Sequence, residues 1–511
     1  MAGKRQQLRQ KSLKSPMNRR SFLQATAATT AGLVLPRVLR ASPERIWPLG
    51  AAEPVRVRGQ VRAGGRGLAG VAVTDSSEVV QTAADGTFDF ISTADHEFVS
   101  VSLPARYEIP RNSTGTARFY QPMSPNPSGE MIAEFDLERL EQSDESHTTL
   151  LLADMQMQDM DEIVWCREQT VPDVRSVVAA GGKEAVGIAC GDIMYDHLEL
   201  FPEYERNVSL MGIPFFQVLG NHDEDYAGTD RASTATFTGH FGPRYYSFNR
   251  GAVHYVVLDD VFWHGKGYIG YLGAEQLAWL ERDLALLEPG TTVVVATHIP
   301  VLGSRHVRLG QQNPSFTLAV TNRDELYALL DPFNAHILTG HTHESEHVFE
   351  HGVHEHVNGA VCGAWWSGPI CADGTPNGYS VYDINGSDVT WRYKSTGHDF
   401  DHQIRTYPHG ADPKAPDEIV ANVWDWDPEW RVVWYEGGDR RGTMAQRVGH
   451  DPLSVELHTG PDLPPRRTWV EPVPTAHLFY APAARDADVV VEATDRFGRT
   501  YSSQLGHSQR R

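Results

Sequence analysis

Apolar positions along this chain follow two rhythms, and the change from one to the other divides it. Residues 55–90, VRVRGQVRAGGRGLAGVAVTDSSEVVQTAADGTFDF, alternate apolar and polar side chains between Gly-Gly, Asp-Ser and Asp-Gly turns. Short alternating strands with turns this frequent predict a small β-sandwich over residues 54–138. From about residue 147 the apolar runs lengthen into TLLLAD, EAVGIAC, PFFQVLG, HYVVLD, TTVVVATH and AHILTG. Helix-like stretches separate them. The clearest is LGAEQLAWLERDLALL, which sets Leu277, Leu280, Leu284 and Leu287 on one face to cover a sheet. Strand–helix alternation predicts a layered α/β core over residues 144–397. Beyond residue 376 the turn-rich pattern returns, and DGTPNGYSVYDINGSDVTWRYKSTG reads as a hairpin. Residues 398–511, rich in Trp and Pro, end in the strand-like DVVVEATDRFGRTYSSQ and predict a β-rich carboxy-terminal domain.

A length of 511 residues allows two to four domains, and 41% hydrophobic with 22% charged residues is a globular composition. Charge is uneven. Residues 1–40 hold nine Lys or Arg and no acid; taking these from 45 leaves 36 basic against 66 acidic residues, about −30 for the body. Such a surface repels polyanions and excludes broad binding to duplex nucleic acid, while leaving room for a small phosphate ester. Within the basic end, NRRSFLQATAATTAGLVLP joins Arg19–Arg20 to a short apolar run and resembles a twin-arginine export signal over residues 1–41. An ordinary secretory signal or an uncleaved tail are the competing readings. No later run of eighteen apolar residues predicts a membrane span. The resemblance implies the twin-arginine machinery as a partner and a periplasmic or extracellular location. It also implies export in the folded state, which favours free thiols for the four cysteines. Cys190 reads as a core residue, and the spacing of Cys362 and Cys371 does not demand a bridge.

Chemistry gathers where the apolar runs stop. Asp154 and Gln156 follow the first, Gly191-Asp192 the second, Gly220-Asn221-His222-Asp223 the third, Thr297-His298 a later one, and Gly340-His341-Thr342-His343 the last. Strand ends collect along one edge of a layered α/β sheet, the usual place for a site. Two carboxylates, an amide and three histidines are costly to cluster there without a positive charge to bind. Two cations bridged by one carboxylate suit in-line displacement at phosphorus.

This order of blocks resembles the calcineurin-like metallophosphoesterase superfamily, whose pattern is D-x-H, G-D, G-N-H-[DE], H, G-H-x-H; FGPRYYSFNRGAVHYVVLD is similar to it as well. The flanking regions resemble the accessory domains of one bacterial branch. The resemblance implies an α/β fold, a four-layer α/β/β/α core between the two β domains. It further implies two divalent or trivalent ions (manganese, iron or zinc) and hydrolysis of phosphate mono- or diesters by a metal-bound hydroxide. Carried across, Asp192 bridges the ions, Asp154 and His343 hold one, and Asn221, His298 and His341 hold the other. His222 protonates the leaving oxygen or stabilises its charge, and Asp223 orients His222.

Gln156 departs from the pattern, which has His there. Its amide either binds metal, favouring manganese, magnesium or iron over zinc, or hydrogen-bonds a bound water. Tyr195, three residues after Asp192, stands where purple acid phosphatases carry an iron-binding tyrosine, although packing is the commoner role for such a residue. Arg305 and His306 are candidate phosphate contacts or a solvated loop. Trp365 and Trp366 line the pocket or fill the core. His336, His347, His351, His354 and His356 look like a metal tract but read mainly as surface or strand residues. Beside the phosphoesterase stand three alternatives: a surface binding protein with reduced catalysis, motivated by Gln156 and the two β domains, a purple-acid-phosphatase-like activity, and a nuclease or nucleotidase.

Overall fold

Strands whose two faces are both covered carry no polar alternation, and the central strands of this protein are of that kind. A computed structural model of the protein describes residues 53–505. The export signal read at residues 1–41 lies outside them. Thr148–Leu152 and Val293–Ala296 are buried without a break. They belong to two sheets. The first runs Phe215–Val218, Glu184–Cys190, Ser146–Leu152, Gly378–Asn385, Asp388–Ser395. Its first three strands are parallel and its last two antiparallel. The second runs Tyr246–Arg250, Val253–Val257, Thr292–Ala296, Asn334–Thr339, Val353–Val357, Glu346–Glu350, with the four inner strands parallel.

The facing sides of the sheets share one core, in which Leu151, Ile188, Cys190 and Phe216 meet Phe248, Tyr255, Val294 and Leu338. Helices Val171–Gly181 and Phe201–Met211 cover the outer side of the first sheet through Val174, Tyr204 and Val208. Both stop at a left-handed glycine, Gly182 and Gly212, as a missing Cβ permits. Helices Ala274–Leu284 and Arg323–Leu330 cover the second sheet through Trp279, Leu280, Leu284 and Leu326. The order is therefore helix, sheet, sheet, helix, the α/β/β/α core expected. Leu280 and Leu284 of the predicted helix face are buried, with Leu277 and Leu287 packed at the margin.

The accessory regions are β-rich, as expected. In Glu130–Leu137 the residues Met131, Ala133, Phe135 and Leu137 point inward, while Ile132, Glu134 and Asp136 are exposed. That strand and Pro54–Ala63 form one sheet of a sandwich; Ala72–Thr74 and Phe98–Val101 belong to the other. The carboxy-terminal region holds two four-stranded sheets around Ile419, Val432, Phe479 and Val491. The hairpin anticipated after residue 376 forms, and its first strand pairs with Ser146–Leu152, completing the first core sheet. All four cysteines are free and buried. Among the described residues no helix is long and apolar enough to cross a membrane.

Trp279 is fully buried under the second sheet. Trp279→Ala should cost about 3–5 kcal/mol of stability, the lost transfer energy plus an uncollapsed cavity. Chemical denaturation checks this; a midpoint shift worth less than about 1 kcal/mol would show that the helix layer does not hold that sheet.

Candidate metal centre

Parallel strands end on the same edge, so the residue after each strand arrives at a common place. Asp154, Asp192 and Asn221 follow strands of the first sheet, and His298 and His341 follow strands of the second. The chain then turns sharply. Asp154, Gln156, Asp192, His341 and His343 all have positive φ, 50°, 40°, 48°, 69° and 52°. Non-glycine residues pay for that conformation, and five within one site mark a place where geometry is imposed by function. Two motif glycines answer to close approach. A Cβ on Gly191 would lie 2.4 Å from His298 Nδ1, and one on Gly340 2.4 Å from Asp154 Oδ2.

Asp192 sits at the centre and is 1% exposed. Its Oδ1 accepts from the His222 amide at 2.9 Å and lies 3.2 Å from His298 Nε2. Its Oδ2 accepts from Gln156 Nε2 at 2.6 Å. Asp154 Oδ2 accepts from the His341 amide at 2.8 Å, and Oδ1 lies 3.4 Å from His343 Nε2. The three histidines are each fixed by a backbone carbonyl. His298 Nδ1 donates to Cys190 (2.9 Å), His343 Nδ1 to Gly363 (2.6 Å) and His341 Nε2 to Thr317 (2.8 Å). A ring nitrogen so held leaves the other nitrogen as a lone pair, the form that binds metal.

These lone pairs test whether cations fit. His298 Nε2 and His341 Nδ1 face each other at 3.2 Å. Two acceptors at that distance require a positive charge between or beside them. Asp154 Oδ1, Gln156 Oε1, Asn221 Oδ1 and His343 Nε2 are also buried without a hydrogen-bond partner. Orphaned polar atoms of this kind are rare in a folded interior and call for an ion or water. The electrostatics of the side chains agree. Burial opposes it, yet Asp192 pushes the His298 imidazole up to about 10. Burial and then the His298 charge push His341 down to about 4. Burial alone would raise Asp192, but His298 and His222 hold its carboxyl well below the usual range. A single proton thus stands in for positive charge that the donor set is built to receive. Asp192, His298 and His341 present ligand atoms within 4.8 Å of one another.

Not every predicted role survives. Asp223 does not orient His222: its carboxylate is buried and accepts from the amides of Ile193, Met194 and Gly220 at 2.9–3.1 Å, which shapes the turns around Asp192. Burial and the Asp192 charge raise it to about 7. His222 Nδ1 instead donates to Asp196 Oδ1 at 2.7 Å, and Tyr226 Oη donates to the same oxygen. Burial opposes protonation of His222, but Asp192 and then Asp196 hold its imidazolium above the ordinary range. Arg305 is engaged by Glu344 at 2.9 Å, and His306 lines a small pocket with Leu302, Pro314 and Thr342. The tryptophan pair divides: Trp366 is buried with its Nε1 donating to Met155 O, while Trp365 stacks on His343 at 4.1 Å.

Several residues near the centre carry no motif. Asp260 Oδ1 accepts from the amides of His298 and Ile299 at 3.2 Å each and so fixes the His298 turn. Its signal was available, because LDD also ends an apolar run. Tyr195 stacks on His222 at 4.4 Å, and the Arg467 guanidinium lies over Tyr195 at 5.3 Å. Arg467 Nε is buried without a partner, at a positive φ of 55°. Trp469, 53% exposed, packs on Trp365. Both lie in an irregular carboxy-terminal segment more than a hundred residues past the last motif, where nothing in the sequence marks them.

Comparison with known proteins followed the same order along the chain. The family profile for the N terminal of calcineurin-like phosphoesterase matches residues 55–140, that for calcineurin-like phosphoesterase 147–345, and that for its C terminal 355–501. A profile for the twin-arginine translocation pathway signal sequence matches 16–36. The search of curated proteins gave no match. Similar solved structures include a dimetal phosphatase from Danio rerio, 14% identical, covering 49% of this chain and 96% of that one at a TM-score of 0.36. A purple acid phosphatase from yellow lupin (Lupinus luteus) seeds is 13% identical, with 67% of each chain covered at 0.36. GAP50, the anchor in the inner membrane complex of Plasmodium, is 14% identical, covering 49% of this chain and 84% of that one at 0.34. With its core and both flanking regions matched in sequence, this chain belongs to the calcineurin-like metallophosphoesterases and carries the amino- and carboxy-terminal domains of that family.

Proposed function

We propose that the protein is an exported dimetal phosphoesterase that hydrolyses small phosphate mono- or diesters in the periplasm or outside the cell. The observation that carries this reading is the pair of opposed imidazole lone pairs, His298 Nε2 and His341 Nδ1, beside the buried Asp192 carboxylate. Asp192, Asn221, His298 and His341 would hold one cation, and Asp154, Asp192 and His343 the other, with Gln156 Oε1 the free acceptor nearest in sequence to Asp154. Cations bound there would acidify water and offset negative charge on phosphoryl oxygens. Manganese, iron or zinc suits this mixed oxygen and nitrogen set.

The protein's own residues supply the rest. Because Asp196 accepts from His222 Nδ1, the His222 proton available to substrate is on Nε2. That proton is given to the leaving oxygen, or stays in place and stabilises the charge developing on it. Tyr195, stacked on the imidazole, keeps its plane fixed. Arg467 lies over the Tyr195 ring and pairs with Glu162 through Nη2 at 3.0 Å, and its unpartnered Nε suits a phosphate oxygen. Trp365 and the exposed Trp469, tilted at 59° to each other, offer an apolar corner for the organic part of an ester.

Asp192→Asn should lower kcat/KM for a chromogenic phosphate ester by about 10³-fold or more, equivalent to several kcal/mol of transition-state stabilisation. Turnover within tenfold of wild type, with unchanged circular dichroism, would sink the reading. A second outcome concerns pH. Asp196 raises the His222 pKa, so its removal lowers it, and activity that needs the protonated imidazole must then fail at a lower pH. Asp196→Asn should move the alkaline limb of the kcat/KM profile to lower pH, because the carboxylate that supports the His222 imidazolium is gone. An alkaline limb that stays put, or rises, would remove His222 from the proton transfer.

A further inference from the structure

A second group of histidines lies away from the centre described above. Asn334–Thr339 contributes His336, Glu346–Glu350 contributes His347, and Val353–Val357 contributes His354 and His356. Register brings them together: His336 pairs with His354 across the parallel ladder, and His347 with His356 across the antiparallel one. His354 and His356 are two residues apart on one strand, so both point to the same face. On that face the rings pack. His354 stacks on His356 at 3.8 Å, and Trp391 of the other core sheet closes over both at 4.9 and 4.6 Å.

We infer that His336, His354 and His356, completed by His347, form a third metal site that takes a borderline divalent transition ion, zinc first. Ligand nitrogens of His336, His354 and His356 lie within 4.8 Å of one another, the same span that gathers Asp192, His298 and His341. His336 Nδ1 is 3.1 Å from His356 Nε2, and His347 Nδ1 is 3.0 Å from His354 Nε2. Two nitrogens on one tetrahedral zinc stand about 3.3 Å apart, given zinc–nitrogen bonds near 2.0–2.1 Å. His347 Nε2 donates to Asp425 Oδ1 at 3.0 Å, which leaves Nδ1 as the lone pair facing the cluster. A carboxylate behind a metal-binding imidazole is the usual way its tautomer and plane are fixed. His356 Nδ1 is buried with no partner, so the hydrogen bonds among these rings do not satisfy the cluster. Burial, with Arg496 nearby, disfavours the imidazolium at His336, leaving the neutral form that ligates.

The site's position indicates its use. It joins three strands of one sheet to Trp391 of the other and, through Asp425, to the carboxy-terminal region. It lies on the strand that runs into His341 and His343, but none of its rings takes part in the hydrogen bonds of the catalytic group. An ion here would brace the frame beneath the centre without taking part in hydrolysis.

The test is metal counting on the full chain, stripped, reloaded with zinc and desalted. His336→Gln/His356→Gln should retain one zinc fewer per chain than wild type, while phosphoesterase activity stays within about twofold. Equal zinc content in the two proteins would overturn the inference. Because the count is a difference, it stands whether or not both catalytic positions fill. Should the double variant fail to fold, anomalous scattering at the zinc edge from crystals of the loaded wild-type chain decides: a peak among the four imidazoles supports the site, and none there refutes it.

Discussion

Removing a carboxylate from water costs several kcal/mol unless donors or positive charge replace the solvent, and Asp192 is removed almost entirely. Much of the centre can be read as the answer to that cost. One oxygen receives a backbone amide from the His222 turn and faces His298; the other receives the Gln156 amide. To reach it the backbone enters left-handed conformations on both sheets, and Gly191 and Gly340 clear space for His298 and Asp154. The two sheets must then meet in one register. Their shared core, from Leu151 to Leu338, is what holds the strand ends level.

Much of this was legible in the sequence because the physics is local to each strand. An apolar run that stops on a polar residue announces both an element and the edge it points to, and the Asp154, Asp192, Asn221, His298 and His341 blocks all do so. The helix over residues 274–284 was equally plain from its leucine spacing. What failed was side-chain direction over short distances. Asp196 and Asp223 both stand near His222, and the motif favoured the adjacent one. The turn spends Asp223 on three amides, and a positive φ of 66° at Asp196 accompanies the contact with the imidazole.

Long-range assembly was the other blind spot. Arg467 and Trp469 reach the centre from an irregular segment with no period of its own, so neither spacing nor composition could place them. The histidines around the last motif lie on strands or at the surface, as read, but their convergence was not legible. Their number suggested a tract, yet strand alternation at 354 and 356 already put two on one face; only the register with residues 336 and 347 shows that four converge.

One strand pairing has a consequence for how the molecule comes into being. Ser146–Leu152, which carries Asp154 at its end, lies between Glu184–Cys190 and Gly378–Asn385. Its second neighbour is more than two hundred residues downstream, so the nascent chain must hold an apolar strand with one open edge until that hairpin has been made. Closure of the first sheet is thus a late, high-contact-order event, and the exposed edge is a hazard throughout the interval. Among the strand pairings of the two core sheets, this one joins the segments farthest apart along the chain.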